Sequence, residues 1–310
     1  MSAAHASARD SGHVAAGNAA HASSRDTAHD SAPVSGNATG HAHPTGDAHR
    51  LPEPTGELAC GHGVELRHGE HLAVRASDFT LPAGGVVAVI GPNGSGKSTL
   101  LQALAGVLKP TQGTVTVHGQ SAEEHARKVS FVMQSVQVPQ GTPLTVKDVV
   151  TMGTYAGTGW FGRLKREDRA RVDEAMERMK ITDLARRHLS ELSGGQRQRV
   201  YVAQGLAQEH DVLMLDEPLT GLDLVSAQTI DELIHEEPGR GVSVVFTTHD
   251  LDEAFAADHV VLMNGRVVAS GPPNEALTRA NLEAVYGIGM LHTPQGAFWD
   301  EPGETEGPRA

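Results

Sequence analysis

The sequence predicts an α/β fold, and three observations carry that reading. A short apolar run, Val86–Ile90, leads into the segment Gly91-Pro92-Asn93-Gly94-Ser95-Gly96-Lys97-Ser98-Thr99, and helix-like residues 100–107 follow. Two more apolar runs, Val212–Leu215 and residues 242–246, have the unbroken hydrophobicity of central parallel strands covered on both faces. Stretches of helical character lie between the strands, and that alternation is the signature of an α/β sheet.

The elements are justified in chain order. Residues 1–56 are rich in Ala, Ser, Gly, Asp and His, hold no aromatic residue and almost no large aliphatics. Such a segment cannot bury enough apolar area to offset its ordering entropy, so it is expected to be a disordered tail. Its histidines recur at eight-residue spacing, His5, His13, His21 and His29, and then at His41, His43 and His49. Residues 64–66 and 72–79 are expected as strands, followed by Val86–Ile90 and then by short strands at 114–117 and 129–133. Residues 167–180 read as an amphipathic helix with Val172, Ala175, Met176 and Met179 on one face. Residues 195–207 read as a second helix. Residues 260–263 and 266–269, joined by Asn264-Gly265, read as a hairpin. The folded domain is expected over 57–275, with 276–310 an acidic, Pro/Gly-containing and partly disordered extension.

Composition excludes several classes. The 310-residue chain carries a formal net charge of -13, which disfavours a nucleic-acid binder needing a basic face. No apolar run approaches the roughly 20 residues that cross a bilayer, and the N-terminus lacks a secretory h-region. Cys60 is the only cysteine, so no internal disulfide forms. A soluble protein is expected, reaching a membrane only through a partner.

Three motifs carry chemistry. The segment from Gly91 to Thr99 fits a phosphate-binding loop in its strand–loop–helix context. Its glycines let backbone N–H groups converge on a polyphosphate, the helix N-terminus adds partial positive charge, and Lys97 adds a full one. Ser98 offers a hydroxyl to Mg²⁺. The apolar run Val212–Leu215 ends in Asp216-Glu217-Pro218. A strand-end carboxylate there suits Mg²⁺, and Glu217 stands where a general base could act on a water. Third, Leu192-Ser193-Gly194-Gly195-Gln196 opens a helix and makes a second anion site. One chain with one phosphate loop and two anion sites implies a shared nucleotide.

With those three motifs in register over about residues 60–270, the chain resembles the ATP-binding subunits of ABC transporters. That resemblance implies a phosphate-loop parallel sheet with an antiparallel β subdomain and a helical subdomain. It implies ATP and Mg²⁺ as cofactors. It also implies a head-to-tail homodimer in which Ser193, Gly194, Gly195 and Gln196 of one subunit cap the ATP held by Lys97 of the other. An integral-membrane permease would be the direct partner, a substrate-binding protein an indirect one, and nucleic acid none. The chain would sit peripherally on the cytoplasmic face of the cell membrane. Position by position, the resemblance implies that Gln134 contacts Mg²⁺ with Ser98 and Asp216. It makes Asp223 part of the loop that crosses the dimer interface, and His249 the switch histidine at the γ-phosphate. Lys97, Glu217 and His249 would form the catalytic set.

Two positions depart from the family's pattern. His68 stands where an aromatic residue usually stacks on adenine, and Ala203-Gln204-Gly205 stands where Ala-Arg-Ala is usual. Residues 143–160 look like those of zinc and manganese importer ATPases, with haem, siderophore or other importers as the alternative, and a non-transport ABC ATPase as a further one. The imidazoles of the tail suit zinc, but eight-residue spacing does not preorganise a tetrahedral site. Cys60, His62, His68 and His71 are expected to be strand residues rather than a metal site.

Overall fold

The computed structural model describes residues 56–134, 143–155 and 164–287. The histidine-rich segment 1–55, residues 156–163 with Trp160, and the acidic end from 288 lie outside the described residues.

Two sheets organise the chain. The first is antiparallel, in the order β2-β1-β4-β5, from β1 (Glu57–His68), β2 (His71–Pro82), β4 (Gln112–Val117) and β5 (Gln120–Ser121). The first two strands run well beyond the predicted 64–66 and 72–79. Register shifts along β1 break the simple alternation that marks a strand in sequence. The second sheet has six strands in the order β10-β9-β3-β8-β7-β6. It is built from β3 (Val86–Ile90), β6 (Val129–Val132), β7 (Val212–Leu215), β8 (Ser243–Thr248), β9 (His259–Met263) and β10 (Val267–Gly271). All its neighbours pair in parallel except β10, which closes the predicted hairpin against β9.

Every residue of β3 is buried, as a parallel strand covered on both faces requires. Its side chains alternate between two cores. Val87 and Val89 join Leu100, Leu101 and Leu104 of helix α1 (Lys97–Leu104), together with Leu58, Leu66 and Leu81 of the antiparallel sheet. Val86, Ala88 and Ile90 face the larger helical layer. That layer comprises α3 (Val146–Met152), α4 (Arg166–Arg178), α5 (Gly194–Ala207), α6 (Leu224–Glu236) and α7 (Leu251–Phe255), following the short α2 (Ala122–His125). Val172, Ala175, Met176 and Met179 are all buried, as the predicted apolar face requires. Packed structure continues past residue 275. Helices α8 (Pro273–Ala276) and α9 (Arg279–Tyr286) bury Leu277, Leu282 and Val285 in the same core.

Gly205, a mid-helix residue of α5, has a packing reason. A Cβ there would meet Val132 Cγ2 at 2.7 Å and Ser130 Oγ at 2.8 Å. The Ser130 hydroxyl donates to the Gly205 carbonyl at 2.9 Å, so α5 lies directly on β6.

Candidate functional site

The polar residues gather at the C-terminal ends of β3, β7 and β8, the edge where open α/β sheets bind ligands. At the end of β3 the chain turns tightly. A Cβ on Gly91 would stand 2.2 Å from the Met263 carbonyl oxygen, so only glycine fits. Gly96 takes φ 98 and presses against Val74 and Ala73 of β2. The loop is braced from outside, with Gly265 N–H donating to Ser95 O at 2.9 Å and Arg75 N–H donating to Gly265 O at 2.8 Å. Within it, Ser95 N–H donates to Pro92 O at 3.1 Å, while Asn93 and Gly94 form the exposed crest.

Lys97 is 5 % exposed, and its ammonium donates to Gly91 O at 2.9 Å and Pro92 O at 3.3 Å. Burial pushes this ammonium below its usual range, and the carboxylates of Glu217 and Asp216 pull it back up. Those two carbonyls hold the amine in place over the loop. Helix α1 starts with no side-chain cap, so its first N–H groups keep their capacity for an anion. The buried Ser95 hydroxyl has no partner among the described residues. A buried unpaired hydroxyl, a fixed ammonium and a glycine-only cradle suit a polyphosphate.

The Asp216 carboxylate and the Glu217 backbone at the end of β7 are held by Thr247, which sequence reasoning passed over. Asp216 Oδ1 accepts from Ser98 Oγ at 2.9 Å and from Thr247 Oγ1 at 2.7 Å. The same Thr247 oxygen accepts from the Glu217 N–H at 2.7 Å. Glu217 sits at φ 46, a backbone region unfavourable to a branched-free side chain by a modest but real margin. Its carboxylate accepts from Gln134 Nε2 at 2.6 Å and stands 3.9 Å from the Lys97 ammonium. Ser98, Asp216, Gln134 and Glu217 thus form one connected polar set. Its oxygen donors, Ser98 hydroxyl, Asp216 carboxylate and the Gln134 side-chain carbonyl, are the hard ligands that Mg²⁺ takes. In the sequence Thr247 stood just after the apolar run 242–246, ahead of Thr248 and His249. Its spacing from Asp216 carries no sequence signal, because the two meet through strand pairing.

The second anion site has a different build. Ser193 caps α5, its Oγ accepting from the Gln196 N–H at 3.2 Å, while Gln196 Oε1 accepts from the Ser193 N–H at 3.0 Å. Gly194 is exposed, and a Cβ on it would meet nothing within 4 Å. Gly195 is buried, and a Cβ on it would meet Asp223 Oδ2 at 2.1 Å. Asp223 caps α6, accepting from Ser226 N–H at 3.0 Å and Ser226 Oγ at 2.8 Å, and these bonds hold its carboxyl below the usual range. Leu224 and Val225 stand 72 % and 60 % exposed beside it. Of the arginines on α5, Arg199 turns inward and donates to the carbonyls of Met179 and Lys180, both at 3.1 Å. It closes the end of α4 and does not serve the anion site.

His68 is exposed at the end of β1, with Nε2 3.3 Å from Thr99 Oγ1 on the phosphate-loop helix. His249 is exposed in the link between β8 and α7. Beneath it, Thr248 Oγ1 donates to Glu253 at 2.6 Å, and burial raises the Glu253 carboxyl above its usual range. Cys60 Sγ and His62 Nε2 lie 3.2 Å apart, but His68 and His71 do not join them in a metal-sized group among the described residues.

Residues 74–220 match the family described as ABC transporter. The chain is 41 % identical over 211 residues to the zinc transport system ATP-binding protein TroB of Treponema pallidum, covering 68 % of this chain and 79 % of that protein. It is 36 % identical over 229 residues to the manganese transport system ATP-binding protein MntA of Synechocystis, covering 73 % and 88 %. It is 38 % identical over 240 residues to the chelated iron transport system membrane protein YfeB of Yersinia pestis, covering 76 % and 81 %. Among solved structures it is similar to the ATP-binding cassette MJ0796 in a dimeric post-hydrolysis state bound to ADP and Pi. That match has a TM-score of 0.61 at 26 % identity and covers 70 % of this chain and 99 % of that one. It is also similar to an ABC transporter described as of metal-chelate type in an inward-facing conformation, with a TM-score of 0.65 at 31 % identity over 74 % and 88 %.

Proposed function

This chain belongs to the ATP-binding subunits of ABC transporters, and on that premise we propose that it hydrolyses ATP to power import of zinc or manganese through a separate membrane permease. Hydrolysis rests on one observation above the others, the connected set Lys97, Ser98, Gln134, Asp216 and Glu217 at the ends of β3 and β7. The metal rests on the named activities of its relatives from Treponema and Synechocystis.

Each side chain has a part that follows from its setting. The Lys97 ammonium exchanges its bonds to the Gly91 and Pro92 carbonyls for phosphate oxygens. Gly91 to Thr99 present backbone N–H groups to the same phosphates. Ser98, Gln134 and Asp216 would hold Mg²⁺, which would supply charge neutralisation to the bound triphosphate. Thr247 keeps Asp216 and the Glu217 backbone in fixed relation. The Glu217 carboxylate takes the proton of a water as its oxygen attacks the γ-phosphorus, the bond to the β,γ-bridging oxygen breaks and ADP leaves with that electron pair, and Gln134 holds the carboxylate meanwhile. His249 contacts the γ-phosphate from the exposed end of β8, and the His68 ring covers the adenine.

Ser193, Gly194, Gly195 and Gln196 reach the phosphates of a second copy, and Asp223 lies on the face between the copies. The exposed Leu224 and Val225 next to Asp223 support such a face. No helix among the described residues is long and apolar enough to cross a membrane. On the reading proposed here the chain works peripherally at the cytoplasmic face, docked on the permease, and a substrate-binding protein delivers the metal from the other side.

The relative named for chelated iron favours a second reading, import of an iron chelate. Reconstitution with the cognate permease in liposomes separates the two. ATP-dependent uptake of Zn²⁺ or Mn²⁺, absent with an iron chelate, is the expected result. Uptake of the chelate alone replaces the first reading with the second. Hydrolysis stimulated by DNA or ribosomes, and not by permease, removes the transport reading altogether.

A further inference from the structure

We propose that His118, His125 and Asp211 form a binding site for a divalent transition metal of the zinc class, remote from the nucleotide. Their ligand atoms lie within 4.8 Å of one another. The three come from separate segments. His118 is in the turn between β4 and β5, His125 ends α2, and Asp211 directly precedes β7. Asp216 closes the other end of β7, so a strand length of roughly 16 Å separates this group from the phosphate site.

The donor set fits the metal class. Two imidazoles and one carboxylate are a borderline ligand set, suited to zinc and its first-row neighbours and poor for Ca²⁺ or Mg²⁺. His125 is 7 % exposed, with Nε2 2.8 Å from Asp211 Oδ1. Its other nitrogen, Nδ1, faces Gln120 Oε1 at 3.4 Å, which is the outer hydrogen bond that fixes a ligating imidazole. The His118 and His125 rings have centroids 5.1 Å apart and are tilted by 54°. A tetrahedral ion with bonds of about 2.0–2.1 Å needs donors about 3.3 Å apart, so small side-chain rotations close the set. Three protein ligands leave a fourth position for water.

The backbone holds His118 and Asp211 in place. His118 and Gly119 take φ 47 and φ 72 in succession, a turn whose first position normally goes to Asn, Asp or Gly. A histidine is nevertheless held there, its N–H donating to Leu58 O at 2.8 Å. Asp211 is fixed on both sides, its N–H donating to Lys128 O and its carbonyl accepting from Ser243 N–H, each at 3.0 Å. A bound ion would therefore tie the antiparallel sheet to the start of β7. The site does not depend on which substrate the transporter moves.

The test uses the full chain with His5, His13, His21, His29, His41, His43 and His49 changed to Asn, so that no tail imidazole competes. Zn²⁺ is titrated against a chromophoric chelator. One Zn²⁺ per chain is expected, with affinity at least tenfold lower in His118→Asn and in Asp211→Asn. Asparagine suits the positive φ at 118, and this variant should keep the parent's ATPase activity in zinc-free buffer containing Mg²⁺, so a loss of binding is not a loss of fold. Zn²⁺ should raise the melting temperature of the parent and not of His118→Asn. Absence of stoichiometric binding in the parent, or equal affinity in parent and variants, overturns the site.

Discussion

The two anion-facing ends of this chain are built on opposite plans. At the phosphate loop every charged group is already engaged within the chain. Lys97 holds the Gly91 and Pro92 carbonyls, Asp216 accepts from Ser98 and Thr247, and Glu217 accepts from Gln134. At the start of α5, Ser193 and Gln196 satisfy only each other, Gly194 is open, and Leu224 and Val225 are exposed alongside. The first end is preorganised, as the proposed hydrolytic site requires. The second is a rigid, uncharged cap with nothing of its own to cap. The contrast fits the proposed function, in which the short motif acts on a nucleotide held by a second copy.

The largest expected effect falls on the preorganised end. Glu217→Gln should slow ATP hydrolysis by about 10²–10⁴-fold, the usual worth of a positioned base, while ATP still binds. Steady-state turnover and nucleotide binding measure the two separately, and near-normal turnover would break the contrast at its stronger side. A smaller effect is expected where α5 leans on β6. Gly205→Ala gains about 1 kcal/mol of helix propensity but forces a Cβ against Val132 and Ser130, an overpacking that costs about 1–3 kcal/mol. The clash should win by about 1 kcal/mol, lowering the melting temperature by about 2–4 °C. A rise on calorimetry would mean that α5 can lift from the sheet. The smallest effect on stability is expected at Lys147 on α3, which pairs with Asp173 at 3.0 Å across two exposed side chains. Lys147→Glu should cost under about 1 kcal/mol. We propose that the permease docks on α3, so this change should weaken permease stimulation more than basal hydrolysis, and an unchanged stimulation ratio counts against that docking.

Much of this was legible in the sequence, and the reason is locality. The phosphate loop, Asp216-Glu217 and Ser193 to Gln196 are contiguous segments whose chemistry is complete within a few residues. The apolar runs at Val86–Ile90 and Val212–Leu215 needed no partner to announce burial. What escaped depends on residues that meet only through strand pairing. Thr247 reaches Asp216 because β8 lies beside β7. Gly205 had no evident purpose until β6 was found beneath it. His125 and Asp211, 86 positions apart, meet only because α2 folds onto the entry to β7. Arg199 shows the reverse case. It follows the anion motif closely, yet its helical position turns it toward the end of α4.

The most direct test of the two-copy account is a mixing experiment. Lys97→Ala disables the phosphate loop, and Ser193→Arg blocks the cap with a bulky charge, so either homodimer should be inactive. A heterodimer of the two carries one intact composite site and one site with both lesions. With heterodimer formation verified by mass, mixing should restore ATPase activity that neither variant has alone. Heterodimers that form and remain inactive, in a protein where a control with one wild-type site turns over, would contradict the shared site.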